Sequence, residues 1–125
     1  MVTQAEAPLG TLPELAVFAE LVRRGLIPDV DFTFQSPLFG GRLQKGGLVV
    51  DFLFSNPPNL AISVAGEYWH FERGVEVRAK DLIAREELAS QGITLIFIEE
   101  THALENAEFY VGEALQFRGH SRLSR

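Results

Sequence analysis

Residues 48–65 read LVVDFLFSNPPNLAISVA, which predicts two strands joined by a turn that contains two prolines. Successive side chains of a strand point to opposite faces of the sheet. In the first run the bulky side chains share one face: Leu48, Val50, Phe52 and Phe54. In the second run the small side chains share one face: Ala61, Ser63 and Ala65. If the bulky faces of the two strands coincide, Asp51 lies in a hollow lined by small residues.

A carboxylate in such a hollow must find a cation or hydrogen-bond donors. Asp51 therefore either pairs with an arginine, caps a turn, or takes part in a functional site. Directly after the second strand come Glu67, Tyr68, Trp69 and His70, and loops at strand ends often carry sites. Trp69 is also suited to anchor a loop, and a single histidine is commonly a structural residue, so both interpretations stay open.

The segment before these strands predicts a helix over residues 11–24. Its start carries a Thr11-x-x-Glu14 capping pattern, and Gly25 marks its end. Apolar residues recur at helical spacing: Leu12, Leu15, Ala16, Ala19 and Val22. The capping pattern alone is a sufficient reason for Glu14.

The remaining elements are predicted from periodicity and from glycine and proline positions. Residues 31–35 alternate as a strand, and residues 93–98 (ITLIFI) are apolar on both faces, as buried parallel strands are. Residues 39–47 (FGGRLQKGG) suit a hairpin tip, and helices are expected over residues 77–91 and 104–117. The order helix, three strands, helix, strand, helix predicts an α/β fold.

Composition limits the class of protein. The 125 residues, 46% of them apolar, suit a single domain. The chain has no cysteine, which excludes disulfides, thiolate zinc sites and cysteine nucleophiles. No apolar run approaches the ~20 residues of a membrane span, and the start lacks the pattern of a signal peptide. We expect a soluble, cytoplasmic protein that does not associate with membranes.

Charge is unevenly distributed along the chain. Seventeen acidic residues against eleven basic ones leave a formal net charge of -6, whereas nucleic-acid-binding proteins usually show a basic bias. No lysine or arginine lies between Arg85 and Arg118, whereas the end of the chain carries Arg118, Arg122 and Arg125. An acidic C-terminal segment is thus compatible with a neutral or basic face elsewhere.

Several of these stretches, taken in order, resemble one nuclease superfamily. Their order is that of the restriction-endonuclease-like PD-(D/E)XK nucleases. The stretches are LPELAVFAELVRRG, VVDF, ISVAGEYWH, the pair Lys80 and Asp81, Leu88, Gly92 and ITLIFIEE. The resemblance covers residues 12–101 and is greatest to the very-short-patch mismatch repair endonucleases and to small phage-encoded relatives. It implies an αβββαβ core over about residues 11–101, with a mixed central sheet flanked by helices, then a C-terminal helix and basic tail over residues 102–125. It also implies a phage source, and so the host cytoplasm as location.

The resemblance also implies roles for individual residues. Asp51 would bind a divalent metal, Mg²⁺ or Mn²⁺, beside the backbone carbonyl of Val64. Glu14 would hold a metal-bound water, and His70 would lie beside the scissile phosphate. Tyr68 and Trp69 would wedge into the DNA duplex.

Two positions depart from the family pattern. The superfamily has an acid and a lysine where this chain has Ser63 and Ala65, and the repair enzymes have a second histidine in place of Ala65. Because Mg²⁺ needs only one or two carboxylates from a protein, Glu67 is the predicted substitute acid. His70 would act as general base or as donor to the leaving oxygen.

DNA contacts are predicted at basic and aromatic positions outside the acidic segment. They are Arg42, Lys45, Tyr68, Trp69, Arg73 and Lys80, with Arg78 and the C-terminal arginines as further candidates. For Arg42 and Lys45, a solvated hairpin tip is an equally good interpretation. Lys80 also suits the first turn of a helix.

The leading function is a metal-dependent DNA endonuclease or nickase, acting for example at mismatched or distorted DNA. One alternative is a Holliday-junction or branched-DNA resolvase, which would act as a symmetric homodimer because it must cut two strands. Another is a catalytically inactive nuclease fold that serves as a DNA-binding or phage structural protein. A hydrolase of another kind has no supporting motif, because the chain lacks Gly-x-Ser-x-Gly and a phosphate-binding glycine loop.

Overall fold

The computed structural model describes the backbone of residues 11–34, 43–45, 48–65, 85–86 and 88–121, and the side chains of these residues except 43–45 and 48–49. The elements in chain order are α1 (Leu12–Arg23), β1 (Phe32–Phe34), β2 (Leu43–Lys45), β3 (Leu48–Val50), β4 (Phe52–Phe54), β5 (Leu60–Ala65), β6 (Thr94–Glu99) and α2 (Glu100–Leu115). Residues 85–86 and 88–90 are also helical.

Four strands form one mixed sheet in the order β1-β4-β5-β6. β4 pairs antiparallel with β1 and with β5, and β5 pairs parallel with β6. β2 and β3 pair antiparallel as a separate hairpin. The predicted α/β class with a mixed sheet flanked by helices is therefore confirmed.

The sheet buries apolar side chains on both faces. One face packs against α1 and α2 and is here called the helical face; it contains Phe32, Phe52, Phe54, Leu60, Ile62, Ile96 and Ile98. The opposite face, here called the small face, carries Ala61 and Ala65 together with Val50, Leu95, Phe97 and the helical residue Leu88. The bulky faces of β4 and β5 thus coincide as predicted, and β6 is apolar on both sides as a buried parallel strand should be.

The ends of α1 follow its sequence signals. Thr11 and Glu14 form the reciprocal capping box, and Arg24 closes the helix. Gly25 follows with a φ of 92°, which glycine adopts without the steric cost of a side chain. The predicted boundaries of this helix are confirmed to within one residue.

The apolar residues at helical spacing that predict α1 are not its most buried residues. Leu12 and Val22 are 74% and 44% exposed. The buried residues of the helix are instead Pro13, Glu14, Val17, Glu20 and Leu21. Two carboxylates can lie on the buried side because each has donors: Glu14 accepts from the Thr11 N–H, and Glu20 binds two arginines.

Arg24 joins α1 to α2. Its Nε lies 2.8 Å from Oε2 of Glu20, and its Nη2 donates to the backbone carbonyl of Glu108 at 2.8 Å. The guanidinium lies where a side chain at Gly112 would project, since a Cβ built there would be 2.7 Å from Nη2. Glycine at position 112 therefore permits the close approach of the arginine.

α2 begins at Glu100, four residues before its predicted start, and is kinked at Asn106. Asn106 has non-helical backbone angles, φ -158° and ψ 68°. Its Oδ1 accepts a hydrogen bond from the Phe109 N–H at 3.2 Å, as an N-cap side chain does at a helix start. The last residue of the helix is Leu115 rather than the predicted Phe117. Neither α1 nor α2 has the length and apolar character needed to cross a membrane, within the part of the chain described.

Candidate functional site at Asp51

Asp51 interrupts the strand that was predicted to run unbroken over residues 48–54. β3 ends at Val50 and β4 begins at Phe52. Val50 packs on the small face, whereas Phe52 packs on the helical face, although two residues of a regular strand at this spacing share a face. The backbone therefore changes direction at Asp51, and the alternation restarts after it.

The carboxylate of Asp51 binds the backbone of the neighbouring strand. Its Oδ2 accepts a hydrogen bond from the Val64 N–H at 2.7 Å. The register pairs Phe52 with Ile62 and Leu53 with Ala61, so continuing it one residue backwards puts position 51 opposite Ser63, beside Val64. Asp51 thus supplies a side-chain acceptor where a regular strand would supply a backbone carbonyl. A short bond of this kind to a charged acceptor offsets part of the cost of half-burying the carboxylate.

Small residues flank Val64, the hydrogen-bond partner of Asp51, in β5. Ala61 and Ala65 are buried on the small face, and Ser63 between them is half-buried. Ser63 and Ala65 occupy the positions where the resembling family has its acid and lysine. At those two positions the chain offers a hydroxyl and a methyl group, so a second carboxylate must come from elsewhere.

Glu99 is a nearby carboxylate that the sequence reasoning missed. The parallel register pairs it with Ala65, at the C-terminal end of β5 and β6. Leu95 and Phe97 face the small side, and alternation puts Glu99 on that same side. The stretch ITLIFIEE shows an acid at the end of an apolar strand. This acid can be assigned to the site only when the strand that pairs with β6 is known. Glu99 is half-buried and lies one strand further from β4 than Ala65 does.

The structure brings together two of the three residues predicted to bind a metal, Asp51 and Val64. The third, Glu67, lies outside the described residues, as do Arg42, Tyr68, Trp69, His70, Arg73 and Lys80. Lys45 lies in β2, opposite Leu48, and only its backbone is described. In the described part of the chain, three or more acidic or histidine side chains do not gather around one point.

Glu14 serves the start of α1. Its Oε1 accepts from the Thr11 N–H at 3.0 Å, and its own N–H donates to Thr11 Oγ1 at 3.3 Å. The capping explanation therefore accounts for this residue, which is 7% exposed. A role in holding a metal-bound water stays a prediction.

Arg118, a candidate phosphate contact, is already paired. Its Nε and Nη2 donate to the two carboxylate oxygens of Glu113 at 3.1 and 2.8 Å, and Nε2 of His120 lies 2.9 Å from Oε1 of the same carboxylate. These partners, Arg118 first, lower the pKa of Glu113 to about 2. The charge of Arg118 is thus largely neutralised, while Arg122 and Arg125 lie outside the described residues.

No protein-family model, curated protein or solved structure matches this chain. The function is therefore inferred from the chemistry of Asp51 and its neighbours.

Proposed function

We propose that the protein is a metal-dependent DNA endonuclease or nickase with a restriction-endonuclease-like fold. The observation that carries the proposal is the break between β3 and β4, where Asp51 reaches across to the backbone of Val64 at 2.7 Å. A regular strand has no need for a carboxylate here, and the remaining strand positions on either side are apolar. A polar residue that interrupts an apolar sheet is often part of a functional site.

The topology supports the same proposal. A helix precedes the sheet, β4 and β5 are antiparallel neighbours, and β6 returns parallel to β5 after the helical residues 85–86 and 88–90. If the separate β2–β3 hairpin is set aside, this order supports the αβββαβ core that the resemblance implies. It puts Asp51 and the C-terminal ends of β5 and β6 at one side of the sheet.

A hard divalent cation such as Mg²⁺ binds oxygen ligands and retains several of its waters, so one or two carboxylates of the protein would suffice to hold it. Asp51 would supply one carboxylate oxygen, with the Val64 carbonyl beside it, and Glu67 or Glu99 the second carboxylate. When bound, the ion would make a coordinated water more acidic and offset the charge that develops on the phosphate. The hydrogen bond from Val64 would orient the Asp51 carboxylate.

His70 is the proposed proton-transfer residue. A histidine exchanges protons near neutral pH, with a reference pKa of about 6.5, so it is suited to take a proton from the attacking water or to give one to the leaving oxygen. Tyr68 and Trp69 would stack against bases, at a gain of about 1 to 3 kcal/mol per base. Stacking by these two aromatic side chains would favour distorted DNA, because its bases unstack at a lower cost in free energy.

The test is incubation of the full chain with plain, nicked, mismatched and branched duplexes, each with Mg²⁺ or with EDTA. We expect cleavage that requires the metal and is faster on mismatched or distorted DNA than on plain duplex. Cleavage restricted to branched DNA would favour the resolvase. Binding without cleavage of any substrate would contradict the nuclease proposal.

A second candidate is an inactive nuclease fold that binds DNA or serves as a phage structural protein. Ser63 and Ala65 favour it, because neither side chain can bind a metal as a carboxylate does or stabilise a phosphate as a lysine does. In that case the duplexes are bound equally well in Mg²⁺ and in EDTA.

A further inference from the structure

Three helix ends in the described part of the chain share one hydrogen-bond pattern. At each end one residue has a positive φ, and the N–H of the residue after it bonds to the carbonyl five positions earlier, at 2.9 to 3.1 Å. This is the Schellman motif, whose left-handed position favours glycine. The left-handed residues are Gly25, Gly92 and Phe117, with φ of 92°, 82° and 65°. α2 therefore ends with a phenylalanine where the other two helices have glycine.

Packing does not account for the choice of phenylalanine at position 117. A bulky side chain at positive φ has a steric cost that glycine avoids. The Phe117 side chain is also 41% exposed, and within the described chain it belongs to neither apolar cluster of the sheet. Residues held in rarely populated backbone conformations concentrate at binding and active sites. Phe117 is thus a candidate for a binding residue.

Phe117 lines a cavity of about 350 Å³. Three parts of the fold surround it: Arg85 and Ala89 from the helical residues, Thr94 at the start of β6, and Phe117 with Gly119 from the segment after α2. Sites for small molecules span about 300 to 1,000 Å³, so this cavity suits a ligand at the small end of that range.

The charge of this cavity favours an anion. Among the described residues that line it, Arg85 is charged and none is acidic, although the chain has 17 acidic residues against 11 basic ones. A cavity beside α2 differs, because it is lined by Glu108 and Glu113 as well as by Arg24. A guanidinium has five N–H donors, so contacts of Arg85 within the fold leave donors for a bound phosphate.

We propose that the cavity at Phe117 binds a small aromatic anion of the mononucleotide class. The base stacks on the Phe117 ring, and the phosphate is bound by the Arg85 guanidinium with the Thr94 hydroxyl as a further donor. Stacking on an exposed aromatic ring is available to every base, so we expect little base selectivity. The terminal nucleotide of a DNA strand offers the same chemistry as a free nucleotide.

The cavity is separate from the site at Asp51. Thr94 begins β6 and Glu99 ends it, so they lie roughly 16 Å apart along the strand. Binding at Phe117 requires neither a metal nor cleavage, so this proposal and the nuclease proposal fail separately.

Calorimetric titration of the full chain in EDTA tests the ligand class. We expect dAMP to bind with a dissociation constant of about 1 mM or lower, and deoxyadenosine and inorganic phosphate to bind at least about 10-fold more weakly. A 5′-phosphorylated oligonucleotide that competes as well as dAMP would assign the site to strand ends, and a weaker competitor would assign it to the free nucleotide.

Phe117→Gly separates binding from stability. It should weaken dAMP binding about 10-fold or more, equivalent to at least about 1.4 kcal/mol. The melting temperature should equal or exceed that of the wild type, because glycine adopts the left-handed conformation without steric cost. The matched control is Phe109→Leu on the same helix, where the native ring is 46% exposed and lies outside this cavity, and it should leave the dissociation constant unchanged.

Arg85→Gln tests the phosphate contact. It should weaken the binding of dAMP and leave that of deoxyadenosine unchanged, which a loss of folding would not do.

Three results would overturn the proposal. They are the absence of dAMP binding up to about 10 mM, equal effects of Phe117→Gly and Phe109→Leu on dAMP binding, and a Phe117→Gly chain that melts at a lower temperature yet binds dAMP as the wild type does. The last result would assign the Phe117 ring to packing.

Discussion

Asp51 and Asp31 show how one residue type serves two purposes in this fold. Each has a carboxylate oxygen 2.7 Å from a backbone nitrogen, that of Val64 for Asp51 and that of Ile27 for Asp31. Asp31 closes a turn that precedes a strand, where aspartate is common. Asp51 lies between two strands of an apolar sheet, where a carboxylate is costly. The difference in surroundings, rather than the hydrogen bond itself, singles out Asp51.

Glu20 has a buried carboxylate that binds Arg23 and Arg24. Arg23 and, after it, Arg24 hold its pKa below the ordinary value, in spite of burial. We expect Glu20→Gln to lower the free energy of unfolding by about 2 kcal/mol at pH 7, because bonds to charged partners are lost. A group with a lowered pKa stabilises the fold above its unfolded pKa and stops doing so as the pH falls. Urea unfolding at pH 7 and pH 3 should therefore show a smaller effect at the lower pH.

The control for that experiment is Glu105→Gln, at an exposed glutamate of α2. It should change the free energy of unfolding by less than about 0.5 kcal/mol. Equal effects at positions 20 and 105 would mean that the arginine contacts of Glu20 contribute nothing to stability.

Residue-level chemistry was partly predictable. The isolation of Asp51 among apolar strand residues and the small residues on one face of β5 follow from alternation within short stretches of sequence. The acid at position 99 was missed because its proximity to Ala65 depends on the parallel pairing of β5 with β6, which joins residues more than thirty positions apart. The break between β3 and β4 at Asp51 was also missed. Alternation within one strand does not predict a hydrogen bond to another strand, such as that from Val64.

At the scale of elements, α1 and α2 are joined by the contact between Arg24 and Gly112. Gly112→Ala should gain about 1 kcal/mol of helix propensity, yet its methyl group would displace the arginine that binds Glu108. We expect the two effects to cancel in the wild-type background. In an Arg24→Ala background, where the methyl group meets no guanidinium, Gly112→Ala should stabilise the protein by about 1 kcal/mol.

The coupling between Arg24 and Gly112 is measured by a double-mutant cycle. It compares the free energies of unfolding of the wild type, Arg24→Ala, Gly112→Ala and the double variant by chemical denaturation. Additive effects of the two substitutions would show that Arg24 and Gly112 do not interact.

The segment after α2 is held to the helix through Glu113. Its pKa is lowered from 4.5 to about 2 by Arg118 and His120, so the carboxylate stabilises the fold above pH 4.5 and loses this effect as the pH falls towards 2. We expect the melting temperature of the wild type to exceed that of Glu113→Gln at pH 6 and to converge with it near pH 2. A difference that is constant across this range would contradict the ion-pair explanation.

The helices also show where sequence patterns are ambiguous. α1 contains two stripes at helical spacing, one through Val17 and Leu21 and one through Leu12 and Val22. The second is more uniformly apolar, yet the first is buried, because partners elsewhere in the fold satisfy its two carboxylates. The strands were easier to predict, since β5 and β6 carry their burial pattern in six consecutive residues each.

At the scale of the whole molecule, the proposed DNA binding would have to use a limited basic surface, because the chain is acidic. Arg42 and Lys45 are the proposed phosphate contacts, and each neutralised phosphate contributes about 0.9 to the dependence of log affinity on log salt. We expect Arg42→Ala with Lys45→Ala to reduce that slope by about 1.8 on every duplex. Fluorescence anisotropy across a series of salt concentrations measures it.

Arg118→Ala is the matched control, because this arginine is engaged by Glu113. Its slope should equal that of the wild type. A double variant with an unaltered slope would show that the glycine-rich segment does not contact DNA.

The most direct test of the central claim, that Asp51 is a metal ligand of a nuclease, is cleavage of a supercoiled plasmid in Mg²⁺ by Asp51→Asn and by the control Asp31→Asn. Both substitutions keep the side-chain shape, and both native side chains bond a backbone N–H at 2.7 Å. We predict that Asp51→Asn reduces the cleavage rate about 100-fold or more, equivalent to at least about 2.7 kcal/mol of barrier, whereas Asp31→Asn cleaves at the wild-type rate. Equal cleavage by Asp51→Asn and the wild type would contradict the metal role.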